Sequence, residues 1–304
     1  MTQTDQNTIK DKGNKINVAL YQMDITSLEI VKNRTKVVDL AEQELKGGAD
    51  LVVFPELCIT GYVEPLVPGL TISGDHSFSS FVEAYHAASE PISGPTITEL
   101  SKIASKYQGY IVVGLALREG PVEGHLTNSS VLIGPEGVLS VYRKVHLWQN
   151  EKHFFEPGRS FPVTKTWFGP LGMQVCYDIR FPEVTRALAL GGATIVTNIW
   201  ASFREDSTPP ADPDQFRHRV FTRAQENGVF FLSCNRVGLQ NGYRFMGRSV
   251  ICGPDGQVVG EIANEEEAVL RAELNMDRVA QYRSFVNLAN DRRPDVYDGF
   301  FGLE

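Results

Sequence analysis

In Gly172-Met173-Gln174-Val175-Cys176-Tyr177-Asp178 a thiol ends an apolar run and enters a polar turn ahead of Phe181-Pro182-Glu183. A cysteine at such a junction can present its sulfur at the edge of a sheet, beside backbone N–H groups free to stabilise an oxyanion. The competing reading is a small buried hydrophobe. Cys234 and Cys252, at strand ends with no acid or base nearby, keep that second reading, and Cys58 is read as packing although it stands two residues from Glu56. Glu56 follows the apolar run Leu51-Val52-Val53-Phe54 and then Pro55. A carboxylate placed there is partly desolvated, which raises its proton affinity and suits it to general-base work; the alternative is a solvated loop glutamate. Lys144, in Tyr142-Arg143-Lys144-Val145-His146-Leu147, offers a fixed positive charge for a tetrahedral oxyanion, or else lies on the surface. Glu151, in Asn150-Glu151-Lys152-His153, orients Lys144 or the substrate, or pairs with Lys152 in solvent.

These side chains need elements to hold them. A polar tail runs to about Lys15 and a strand follows over 16–22. From about Ser27 a helical pattern puts Ile30, Val31, Val37, Val38, Ala41 and Leu45 on one face and stops at Gly47-Gly48. A short buried strand over 51–54, a helix over 96–106 and a strand over 110–117 come next. A hairpin closes this half: 131–133, the turn Gly134-Pro135-Glu136-Gly137, then 138–142. The order then repeats with a strand over 173–176, a helix over 183–190, a strand over 194–198, a helix over about 215–227 and a strand over 229–234. The second hairpin, 248–252 and 258–262, turns on Gly253-Pro254-Asp255-Gly256. Two halves of the same order predict one two-sheet α/β domain over 16–304 with internal pseudo-symmetry and a C-terminal extension from about residue 276. In alternating folds chemistry collects beyond the carboxyl ends of strands. Glu56 and Cys176 each stand directly after one.

Hydrophobic residues at 42% and charged residues at 22% are those of a globular chain with a large core. A net charge of -8 argues against nucleic acid or an anionic membrane as a standing partner. No apolar run approaches the length of a membrane span, and the polar first fifteen residues hold no apolar segment of a secretory signal. Four scattered cysteines do not make a disulfide framework, so a cytoplasmic location is expected.

Taken together, the segments resemble the nitrilase superfamily of carbon–nitrogen hydrolases. The matching stretches are Pro55-Glu56-Leu57 through Thr60-Gly61-Tyr62, Arg143-Lys144-Val145-His146-Leu147, Phe155-Glu156-Pro157-Gly158 and Cys176-Tyr177-Asp178-Ile179-Arg180-Phe181-Pro182-Glu183. Arg223-Ala224, Glu226-Asn227 and Arg292-Arg293-Pro294 also look like that family, and the likeness covers roughly residues 16–297. The resemblance implies a four-layer α-β-β-α sandwich, usually paired into a homodimer. It implies Cys176 as nucleophile, Glu56 as general base, Lys144 as oxyanion stabiliser and Glu151 as the family's second glutamate, with the backbone N–H of Tyr177 completing the oxyanion site. No cofactor is implied, and the substrate would be a small amide or ureido compound.

Nitrilases proper carry tryptophan and glutamate after the cysteine, whereas this chain has Tyr177-Asp178. That favours an amidase or N-carbamoyl hydrolase; a nitrile-cleaving enzyme and a catalytically silent binding protein of the same fold are the alternatives. A zinc hydrolase would need a histidine pairing such as His-Glu-x-x-His, and a serine hydrolase a Gly-x-Ser-x-Gly elbow; neither is present. Arg180, four residues past the cysteine, either grips a substrate carboxylate or pairs with Asp178 or Glu183. Resemblance to the N-carbamoyl-D-amino-acid hydrolases implies two adjacent arginines at this point, of which the chain keeps only the second, with Ile179 before it. Trp200 and Ala201 are expected to wall the pocket, with the core as the other place for Trp200.

Overall fold

The computed structural model describes residues 14–62, 81–119, 125–209, 212, 214–240 and 242–297. The polar tail, apart from residues 14 and 15, lies outside them. The first half runs β1 (Lys15–Gln22), α1 (Ile30–Lys46), β2 (Leu51–Val53), α2 (Phe81–Ala88), β3 (Glu90–Pro91), α3 (Pro95–Tyr107), β4 (Tyr110–Arg118), β5 (Leu126–Gly134) and β6 (Gly137–Arg143). The second half runs β7 (Val163–Thr166), β8 (Gly169–Val175), α4 (Pro182–Leu190), β9 (Ile195–Trp200), β10 (Phe203–Glu205), α5 (Gln215–Gln225), β11 (Phe230–Asn235), β12 (Val237–Gln240), β13 (Tyr243–Met246), β14 (Val250–Cys252) and β15 (Val258–Glu261). The chain ends in β16 (Ala268–Asn275), α6 (Asp277–Phe285), α7 (Leu288–Asp291) and α8 (Pro294–Tyr297).

The pseudo-symmetry is visible strand by strand. One sheet is ordered β16-β1-β2-β4-β5-β6, the other β15-β14-β11-β9-β8-β7. In the first, β1, β2 and β4 are parallel and β5 and β6 return antiparallel. In the second, β8, β9 and β11 are parallel and β14 and β15 return antiparallel. Each hairpin carries a register shift just before its Gly-Pro turn, at Leu132/Ile133 and at Ile251/Cys252. Strands that are buried on both faces read as continuous apolar runs, which is why β2 and β4 were legible without alternation.

Side chains of the two sheets meet between them, Val18, Val53, Val112 and Leu132 from one and Val175, Ile195, Phe230 and Leu232 from the other. The outer face of the first sheet packs on α1 and α3 through Ala41, Leu45, Leu100 and Ile103. That of the second packs on α4 and α5 through Val184, Leu188, Val220 and Ala224. The layers are therefore α-β-β-α.

Several elements depart from the sequence reading. The first helix begins at Ile30 rather than near Ser27, because Leu28 takes a left-handed backbone (φ 65) and its N–H is drawn to Thr60 O at 2.8 Å. Strand β5 starts at Leu126, five residues before its apolar part, and buries Thr127, Asn128, Ser129 and Ser130. A three-stranded sheet, β10-β13-β12, occupies stretches to which the sequence reading assigned no element. Among the described residues no helix is long and apolar enough to cross a membrane.

Candidate active site

Glu56 comes off the end of β2, Lys144 off β6, Cys176 off β8 and Ala201 off β9, and hydrogen bonds join Glu56 to Lys144 and to Ala201. The Lys144 ammonium donates to Glu56 Oε1 and to Glu151 Oε1, each at 2.7 Å. All three side chains are completely buried. Glu56 receives two further donors: Asn128 Nδ2 on the same oxygen at 2.7 Å and the backbone N–H of Ala201 on Oε2 at 2.7 Å. Glu151 accepts the Tyr62 hydroxyl on Oε1 at 3.0 Å and the backbone N–H of Trp148 on Oε2 at 2.8 Å. The surface pairing of Glu151 with Lys152 is thus excluded by its burial.

One ammonium between two carboxylates leaves the cluster short of positive charge. Burial pushes the Glu151 carboxyl above its ordinary range, the Lys144 charge opposes that, and the charge of Glu56 adds to it. Burial would pull Lys144 down, but the charges of Glu151 and Glu56 hold its ammonium well above its ordinary value. The lysine is therefore a permanent cation.

Two glycines let the backbone come close enough. A Cβ on Gly114 of β4 would stand 2.3 Å from Pro55 O and 2.7 Å from Glu56 Cα, so only hydrogen there admits the Glu56 turn. A Cβ on Gly158 would stand 2.1 Å from Arg143 O, beside the bond from Gly158 N–H to Lys144 O at 2.9 Å.

Cys176 opens a 3-10 turn, Cys176–Arg180, with φ at 49°, a left-handed conformation uncommon for a residue with a side chain. Asp178 holds that turn in place. Its buried carboxylate accepts the Tyr142 hydroxyl at 2.7 Å, the Val175 N–H at 3.2 Å and the His146 N–H at 2.9 Å, and it meets His146 Nδ1 at 2.8 Å. Cys176 is the one cysteine of the four that is not fully buried as a residue. Its thiol is nonetheless pushed well above the usual thiol range, first by burial and then by the charge of Glu56, with Lys144 opposing. A thiol so placed is neutral at rest and needs a base.

The remaining site residues fall less simply. Trp200 belongs to the core: its ring is 3% exposed, lies edge-on to Phe216 of α5 and donates Nε1–H to Ser233 Oγ at 2.6 Å. Ala201 contributes its backbone N–H to Glu56. Arg180 pairs with neither Asp178, whose oxygens are taken by Tyr142, Val175 and His146, nor Glu183; its guanidinium lies over Trp148 at 5.8 Å and Tyr177 at 5.9 Å. The Tyr177 ring packs against Trp148 and Phe181. Asn128, Tyr62 and the Trp148 amide escaped the sequence reading. The polar run Thr127-Asn128-Ser129-Ser130 inside a strand was the available signal, since buried polar side chains occur where something must be bound.

The sequence pattern of the family described as carbon-nitrogen hydrolase matches residues 17–284. A nitrilase of Pyrococcus abyssi is 35% identical over 285 residues, which cover 93% of this chain and 99% of that protein. An (R)-stereoselective amidase of a Pseudomonas species is 35% identical over 251 residues, 81% of each chain. Among solved structures, a variant of the amidase from Nesterenkonia sp. AN1, with the acetamide moiety of fluoroacetamide added covalently at its active-site cysteine, superposes with a TM-score of 0.73 at 27% identity, covering 94% of this chain and 97% of that one. With the paired sheets, the match to nearly the whole chain and the relatives' identity in agreement, the protein belongs to the carbon–nitrogen hydrolases of the nitrilase superfamily.

Proposed function

We propose that the protein hydrolyses a small amide or N-carbamoyl compound through a thioester on Cys176. The observation that carries this reading is the Lys144 ammonium fixed between Glu56 and Glu151, close enough to the thiol for their charges to set its proton affinity. In the first step sulfur bonds to the carbonyl carbon while Glu56 takes the thiol proton, leaving a tetrahedral oxyanion. Lys144 faces that negative charge, joined by the N–H of Tyr177, which lies in the first turn of a helix where N–H groups lack intrahelical acceptors. Collapse breaks the carbon–nitrogen bond, and the proton on Glu56 passes to the departing amine. Water, deprotonated by the same carboxylate, then attacks the thioester carbon; the acid leaves and the proton returns to sulfur. Glu56 Oε2 has a single donor, Ala201 N–H, and is the oxygen with room for the travelling proton; Oε1 is taken by Lys144 and Asn128.

The adduct at the cysteine of the Nesterenkonia amidase supports the covalent step. The relative called nitrilase keeps nitrile hydrolysis as the second reading. Acid-quenched turnover of amides, ureido compounds and nitriles, followed by intact-mass and peptide mapping, tests both. The expected result is ammonia release from the first two classes with an acyl group on Cys176 alone, and no turnover by Cys176→Ala. An active alanine variant would refute the assignment, and release from nitriles alone would replace the amide reading with the nitrile one.

A further inference from the structure

The polar run Thr127-Asn128-Ser129-Ser130 of β5 divides between the two faces of its sheet, as side chains of a strand must. The Thr127 and Ser129 hydroxyls bond each other at 2.8 Å on one face. On the other, Ser130 Oγ meets Met173 Sδ of β8 at 3.4 Å, so Asn128 faces the half that carries Cys176. The strand neighbour of Asn128 is the site lysine, whose backbone N–H donates to Asn128 O at 2.8 Å. Side by side, the amide and the ammonium reach the same two atoms. Asn128 Nδ2 donates to Glu56 Oε1 at 2.7 Å and to Glu151 Oε1 at 3.4 Å, and Lys144 Nζ donates to both at 2.7 Å.

The two bridges differ in charge, and the neutral one has a single workable orientation. Turned over, the amide would set Oδ1 against two carboxylate oxygens. Held as it is, Asn128 Oδ1 is buried and meets no donor among the described residues. An unpaired buried acceptor costs stability that an apolar side chain would not, so the two N–H bonds are what the residue is there to make. Pinned at Oε1 from both Lys144 and Asn128, the Glu56 carboxylate cannot swing, and Oε2 is left with the Ala201 N–H alone. An anion in place of the amide would put three carboxylates around one ammonium.

We infer that Asn128 is a positioning residue for the reaction: as an uncharged second bridge between Glu56 and Glu151 it holds the base with Oε2 turned to the thiol proton. This rests on Cys176 as the nucleophile and Glu56 as its base. The charged and titratable groups around the amide are Glu56 beyond β2, Lys144 and Glu151 beyond β6, the Tyr62 hydroxyl on Glu151, and Cys176 beyond β8, whose charge Lys144 feels. Asn128→Asp keeps the shape: protonated, its carboxyl donates O–H to Glu56 Oε1, and ionised, it adds the third anion. With butyramide as substrate, the ratio of variant to wild-type kcat should be highest near about pH 5 and fall about thirtyfold by about pH 9, the loss of one hydrogen bond to a charged group. Asn128→Ser, whose hydroxyl falls short of Glu56, should lower kcat about thirtyfold at both pH values alike, with KM within about threefold of wild type. Circular dichroism checks that each variant is folded, and the serine variant decides if the aspartate variant is not. An aspartate ratio that does not change with pH, a serine variant with wild-type kcat, or a loss confined to KM overturns the inference. Acid-quenched mass spectra of the wild type separate the two levels: an acyl adduct on Cys176 with an unmoved ratio sinks only the role of Asn128, whereas no adduct sinks the nucleophile assignment and the inference with it.

Discussion

With Lys144 donating to Glu56 and Glu151 alike, one ammonium serves two carboxylates that water does not reach. The folded chain holds Glu151 above its ordinary carboxylate range, so its protonated form is favoured by folding. Such a group contributes stability that is fully present at pH values below the unfolded carboxylate pKa and is lost as pH rises through the raised value. Glu151→Gln removes that pH dependence, but its one carbonyl oxygen cannot replace both carboxylate oxygens: the Tyr62 hydroxyl and Lys144 donate to Oε1 and the Trp148 N–H to Oε2, so the amide NH2 faces a donor at one of them. That cost is present at every pH, so the variant should melt below wild type near pH 4 and by less at pH 8, where only wild type has lost stability. Its kcat should fall about a hundredfold, since Lys144 would no longer be held at both sides. Melting curves at the two pH values check it; a deficit no smaller at pH 8 than at pH 4 would mean that the fold holds Glu151 ionised. Cys176 and Glu56 could be singled out because each closely follows an apolar run, whereas Lys144 follows Arg143 and was brought in beside them only by the family resemblance. The bond from Ala201 to Glu56 was not legible because it is made by the backbone, which no side-chain type reveals, and Asn128 was passed over because an amide in a strand looks like a loop.

At the scale of elements, the groups proposed to be catalytic sit where strands end, and the neighbouring strand fixes how closely they approach. Gly114 lies on β4 beside the turn that carries Glu56, and its φ is outside the left-handed range that only glycine takes easily, so space alone decides whether alanine fits. The atoms a methyl group would meet, Pro55 O and Glu56 Cα, are backbone and cannot rotate away. Gly114→Ala should displace the Glu56 turn and lower kcat about a hundredfold, the scale expected of a misplacement near 1 Å, together with a lower melting temperature. An alanine variant with unchanged kcat would show that the turn has slack. The parallel strands and their helices could be read from sequence, since long apolar periods and glycine stops state them directly. The sheet β10-β13-β12 could not, because strands of three and four residues, which place Phe203 against Tyr62 and Phe245 against Phe203, carry too few positions to form a period.

Over the whole molecule, two halves of the same topology face each other and each brings part of the site, Glu56 and Lys144 from the first and Cys176 from the second. The halves differ in their flanking strand. β8 is flanked by β7 from the segment just before it, whereas β1 is flanked by β16 from the far end of the chain, paired antiparallel along its full length from Lys15↔Asn275 to Gln22↔Ala268. The last strand therefore completes the sheet that holds Glu56 and Lys144, and it buries Leu270 and Leu274 against the inter-sheet core. A chain ending at residue 267 leaves β1 as an open edge whose Ile16, Val18 and Leu20 belong to that core, and an unpaired apolar edge invites pairing with another copy. A chain ending at residue 287 keeps β16 and also α6, whose Arg283 donates to Gly228 O at 2.9 Å and Ala193 O at 2.7 Å and whose Val279 is buried. The shorter chain should aggregate on expression, and the longer one should stay soluble, melt cooperatively and release ammonia from amides at a rate close to that of the full chain. Soluble yield, circular dichroism melts and the ammonia assay distinguish the two. A soluble, cooperatively melting chain ending at 267 would mean that β1 holds its place through β2 and the inter-sheet core alone.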